Sequence, residues 1–119
     1  MYWSSLAAVR SWAETLLGVH VGTYPPAEPK DDFGVIQRVG GEVDYPHDSP
    51  AFALQVWADS EPDAEEACVA LARSLPTLLN ADERINGVGK PSLMSLGRDE
   101  NGKFIWQLEF ETNCNIYYE

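Results

Sequence analysis

From Phe104 onward the chain alternates. Phe104, Trp106, Leu108 and Phe110 are bulky and apolar, Gln107, Glu109 and Glu111 between them are polar, and Cys114, Ile116 and Tyr118 carry the apolar phase further. A period of two with one oily side predicts an antiparallel strand with one face on a core and the other in water. Two segments have the helical period instead. In the first, Leu6, Val9, Ala13, Leu16 and Leu17 recur at helical spacing, with Ser4 or Ser5 as N-cap and Gly18 as the stop. In the second, Ala64, Ala67, Cys68, Leu71 and Leu75 form the stripe, and Leu78 and Leu79 continue it. Its start is strongly marked: Ser60 for a cap, Pro62 in the first turn, and the carboxylates of Glu61, Asp63, Glu65 and Glu66 near the positive end of the helix dipole. Pro76 should kink or break it, because proline removes a backbone donor and clashes with the preceding turn.

The remaining strands are shorter. VHVGTY is β-rich and runs into PPAEPKDD, a proline-bearing surface loop. FGVIQRV sets Phe33, Val35 and Val39 on one side and Ile36 and Arg38 on the other. AFALQVWA sets Phe52, Leu54 and Val56 against Trp57. Between these two lies GGEVDYPHDSP, which reads as an irregular loop of eleven residues, longer than ordinary hairpin connections and of the length at which connections are often functional. RINGVGKP reads as a glycine-loosened approach to a strand around Leu93 to Leu96, and Asn101-Gly102 as the turn into the last strand. The order α-β-β-β-α-β-β predicts an α+β domain spanning residues 1–119, with two helices packed on one face of a mainly antiparallel sheet.

Charge narrows the functional classes. Nineteen acidic residues against eight basic ones give a net charge of −11, and Lys and Arg form no cluster. Grip on nucleic acid depends on cationic side chains that displace counterions, so an acidic surface of this kind lets DNA pass without binding it. The first residues lack the basic start and long apolar run of a signal peptide, and no stretch approaches the length of a membrane span, so the expectation is synthesis in a reducing cytoplasm with no membrane partner.

Chemistry-bearing residues are sparse. Asp44, His47 and Asp48 are the one place where metal-type ligands crowd together, and a small metal-dependent hydrolase built on them is one reading, although their spacing fits no strong metal motif. A hydrated acidic loop explains them as well. Cys68 falls on a helical stripe and Cys114 on the core phase of the last strand, where a thiol acts as a small hydrophobe. Gly40 and Gly41 lack the lysine or helix start that a phosphate loop needs, which leaves turn geometry. Trp57 and Trp106 read as core or interface aromatics before ligand-stacking ones. The expectation is therefore a protein that is not an enzyme, with no catalytic residue, metal or cofactor.

A starting helix, a proline loop, the strand-loop-strand VIQRVGGEVDYPHDSPAFALQVWADS, a helix opening EPDAEEACVALARSL and the closing FIWQLEFETNCNIYY strand together resemble the tail terminator and tail completion proteins of siphophages, in particular those of actinobacterial phages and prophages. The matching positions are Arg38, Gly40 and Gly41 of an Arg-x-Gly-Gly turn, Asp48 and Pro50 of an aspartate-proline loop, and Trp57-Ala58 at a strand end. The resemblance covers nearly the whole chain and implies a virion structural protein, made in the host bacterial cytoplasm. It implies a homo-oligomeric ring, expected to be a hexamer, at the head-proximal end of the tail, where it stops tube polymerisation and meets the tail-tube protein and a head-completion or connector protein. A head-tail connector or head-closure subunit is the alternative in the same class. On this reading Arg38, Gly40, Gly41, Glu42, Asp44, Tyr45, His47, Asp48 and Trp57 belong to an assembly loop and its flanks. Glu109 and Glu111 face either solvent or an acidic lumen that repels passing DNA.

Overall fold

The computed structural model describes residues 3–27 and 31–116. Tyr118 of the closing strand and Pro29 and Lys30 of the proline loop lie outside the described residues. The architecture is α+β, with two long helices and a mainly antiparallel sheet. Helix α1 spans Ser5–Leu17. Ser4 caps it by accepting from the Ala7 amide, and Gly18 ends it in the left-handed conformation, donating back to the Glu14 carbonyl. Val9 and Ala13 of the expected stripe are buried, with Ser5 and Trp12 beside them, and Leu6 and Leu17 pack against the core, whereas Leu16 is exposed. Trp12 adds its ring to the core side, while its indole nitrogen donates to Thr77 Oγ1 at 3.0 Å.

Helix α2 spans Glu61–Ser74 and starts on the Ser60 cap, whose hydroxyl accepts from the Asp63 amide. Ala64, Cys68, Leu71 and Leu75 are buried as the stripe predicts. At Pro76 the chain tightens into a 3-10 turn over Leu75–Thr77 and resumes as a short helix α3, Leu78–Ala81. That one-turn tightening buries Leu78 and swings Leu79 into solvent, against the continuous stripe expected from the sequence.

The sheet is organised around its last strand. Strands β1 (Val21–Gly22), β2 (Phe33–Gly40), β3 (Val43–Asp44), β4 (His47–Asp48) and β5 (Ala51–Ala58) precede α2, and β6 (Ile85–Val88), β7 (Ser92–Arg98) and β8 (Phe104–Asn115) follow α3. The first half of β8 lies between β5 and β7, and its second half between β4 and β6. Beyond β5 come β2 and then β1, the latter pairing in parallel; beyond β4 comes β3. Register puts Ile36, Leu54 and Leu108 in one row beneath the helices, where they join Val9, Cys68 and Leu71 in the core. Leucines fully buried in this way contribute about 2 to 3 kcal/mol each.

Two expectations change. RINGVG is not a loose approach but strand β6, with Gly87 set so close to Asn113 that an added Cβ would lie 3.1 Å from the side-chain nitrogen. Nor is GGEVDYPHDSP irregular. Val43 pairs with Asp48 and Asp44 with His47 in the same register that Gly40 and Ala51 set, and the Ser49 amide donates to the Glu42 carbonyl between them. The supposed loop is the far end of one long hairpin.

Candidate functional site

The hairpin end is held by three devices. Its outgoing arm keeps the pairing of β5 with β8: His47 faces Asn115 and Asp48 faces Cys114 in the register begun by Ala51 and Glu111. Backbone and side-chain bonds fill the interval, from the Thr112 amide to the Pro50 carbonyl at 3.0 Å and from Ser49 Oγ to Asn113 Oδ1 at 2.9 Å. The Ile116 amide then donates to the Pro46 carbonyl at 2.7 Å, beside the cis Tyr45–Pro46 turn.

The second device is an ion pair. Arg38 forks onto Asp48, Nη1 reaching Oδ2 at 2.9 Å and Nη2 reaching Oδ1 at 2.8 Å, while Nε donates to the Gly40 carbonyl at 3.1 Å. Asp48 is 6% exposed. A planar guanidinium meeting a sheltered carboxylate in two parallel bonds fixes orientation as well as charge, and it ties both arms of the hairpin together where they leave the main sheet. The third device is Gly41, at φ 101°, whose missing side chain leaves room for the opposite arm: a Cβ there would run into the Ser49 carbonyl oxygen and lie 2.8 Å from Pro50 Cα.

What these devices present is polar and acidic with apolar points. Glu42, Asp44 and His47 are exposed, and so are Val39, Val43 and Tyr45, at 56%, 61% and 55%. Asp48 is occupied by Arg38, and among the described residues no three His, Cys, Asp or Glu side chains are grouped so as to hold a metal ion. The trio Asp44, His47 and Asp48 therefore offers a cation one exposed carboxylate and one exposed imidazole, with its third member already neutralised.

Trp57 is not part of this end. It lies at the other end of β5, half-buried on the sheet face away from the helices, stacked on Phe33 with ring centroids 5.1 Å apart. Its indole nitrogen donates to Gln55 Oε1 at 3.0 Å, Gln55 donates to Gln107 Oε1 at 3.1 Å, and Gln107 donates to Glu109 Oε1 at 2.8 Å. Glu109 and Glu111 are exposed on that same face. The face is thus wet and acidic at one end and aromatic at the other.

Sequence reasoning passed over Lys103. Its side chain is 5% exposed, and its ammonium sits 2.9 Å from Asp59 Oδ1, 3.4 Å from Asp32 Oδ1 and 3.1 Å from the Asp31 carbonyl. Burial pulls its pKa down, and the hydrogen bonds and charges of Asp59 and Asp32 more than offset this, so the net shift is upward. A lysine held protonated is a tie between the strand ends and cannot serve as a base or nucleophile. The residues around it in sequence carry no periodic signal that would have marked it. The two thiols are sheltered as well: burial pushes Cys68 up to about 12, and burial raises Cys114. Neither is poised as a nucleophile.

No protein-family model matches the chain, and no curated protein matches it. No helix among the described residues is long and apolar enough to cross a membrane.

Proposed function

We propose that this chain is a tail terminator of a siphophage-type virion, a subunit that joins copies of itself into a ring on the head-proximal end of the tail tube. The observation that carries the proposal is the hairpin end. It is exposed at Glu42, Val43, Asp44 and His47, yet pinned by the Arg38–Asp48 fork and by pairing with the end of β8. A rigid, exposed element whose side chains serve neither the core nor a reaction is suited to recognition by shape. The sequence resemblance points the same way, and the acidic balance suits a passage through which DNA moves without sticking. Ring closure by repeated head-to-tail contact needs two different surfaces on each subunit, and exposed strand edges supply candidates.

The test is tube growth. Tail-tube protein polymerised with this protein should give tubes capped at one end, visible in negative stain, and a phage lacking the gene should make tails of uncontrolled length. Uncapped tubes, with a length distribution the same with and without the protein, would remove the proposal.

A further inference from the structure

Strand β7 flanks the first half of β8 and, pairing among the described residues with β8 alone, leaves its own outer edge open there. All seven of its residues are exposed. Leu93, Met94 and Leu96 are 38%, 44% and 44% exposed, an unusual amount of apolar surface for an edge that ordinarily is protected by charge. The segment from Lys90 to Arg98 contains two basic residues and no acidic one, in a chain of net charge −11. Strand β3 is the complementary case. It ends the sheet on the opposite flank of β8, pairs among the described residues with β4 alone, and carries exposed Val43 between exposed Glu42 and Asp44. One edge is apolar and basic, the other apolar and acidic, and they point away from each other across β8.

We infer that β7 of one copy receives the β3 edge of the next. The Glu42–Asp44 segment lies along Ser92–Ser95, before the bulge at Leu96, and Lys90 sits near the acidic hairpin end. Edge pairing satisfies the backbone groups both strands leave open, while the opposite charges set which edge meets which and disfavour β7 with β7 or β3 with β3. Because the two edges differ, the contact is heterologous and propagates around a ring. The inference rests on the ring-forming reading above and names the surfaces that reading needs.

The test uses two full-length variants altered only at exposed positions. One carries Val43→Lys and Asp44→Lys, which makes the β3 edge basic; the other carries Met94→Glu and Leu96→Glu, which makes the β7 edge acidic. Circular dichroism and melting temperature check that both fold. Sedimentation velocity should show the wild type assembling, each variant alone weakened by roughly a hundredfold in assembly concentration, and an equimolar mixture assembling again in alternation, since the native β3 and β7 edges meet at one contact and the basic β3 and acidic β7 edges at the next. Variants that assemble as the wild type does, a mixture that restores nothing, or a wild type that stays monomeric at every concentration would each overturn it. Tube capping separates the two ideas: restored assembly in the mixture without any effect on tube ends removes the terminator reading alone, and capping undiminished in both variants removes this interface alone.

Discussion

Arg38 and Asp48 show how a residue pair can be legible in sequence and still take a different part from the one expected. The sequence alone puts Asp48 in an assembly loop and Arg38 on its flank, whereas their charges are turned on each other at 2.8 and 2.9 Å and Asp48 is nearly buried. Removing one partner strands the other, so Arg38→Ala should lower unfolding free energy by about 2 to 3 kcal/mol in urea titrations. Arg38→Lys should recover less than half, because an ammonium cannot make the paired bonds. Lys103 gives a prediction with a pH sign. Its folded pKa lies above its ordinary 10.5, so its contribution is fully present below that value and is lost as pH rises through the folded pKa. The stability difference between the wild type and Lys103→Met should therefore be constant from neutral pH to about 10 and shrink above it. Thermal melts of both proteins at a series of alkaline pH values read this directly, since the difference cancels the other groups that titrate there.

At the scale of the element, the long hairpin depends on one glycine. Gly41→Ala puts a methyl group onto the Ser49 carbonyl in a backbone conformation that resists side chains, and should cost about 2 kcal/mol or more. Gly18, whose added Cβ would meet nothing within 4 Å, shares the positive φ without the crowding, so Gly18→Ala should cost less under the same denaturant. The sequence made the helices readable because caps and period agreed, as at Ser60 and along Ala64 to Leu75. It also made β8 readable, for its phase runs unbroken from Trp106 to Ile116. The hairpin end was hidden for a physical reason. Glycines 40 and 41, Pro46 and Pro50 are the residues that mark turns, and nothing local shows that the Pro46 and Pro50 carbonyls are met by a strand more than sixty positions away. β6 was hidden likewise, its Gly87 answering to Asn113 and not to its own neighbours. Leu79 is turned outward because Pro76 tightens a turn that helical period alone does not register, and Leu16 lies in the last turn of α1, exposed where the helix ends.

For the whole molecule, charge and burial make two further statements. With a net charge of −11, fluorescence anisotropy should find no binding of duplex DNA at physiological salt, and an affinity tighter than about 100 μM would contradict the picture of a surface DNA slides past. With Cys68 and Cys114 both buried, the folded protein should leave a thiol reagent unreacted at pH 8 for as long as it stays folded, and both should react at once in guanidinium. The candidate site as a whole was only partly visible beforehand: Glu42, Asp44 and His47 are exposed together at the hairpin end, whereas Trp57 belongs to a different part of the sheet, beside Phe33.

The register of the hairpin shifts once, at a bulge between Arg38 and Gly40, and is continuous from there to the tip, which also governs how its length can change. Beyond that bulge the arms are tied residue by residue, so one further amino acid in a single arm would either form a second bulge or turn every side chain beyond it to the opposite side. Lengthening by matched pairs keeps the pairing, one pair reversing the facing of the tip and two pairs restoring it and extending the reach by about 7 Å. Related chains that differ in this segment are thus expected to differ by even numbers of residues.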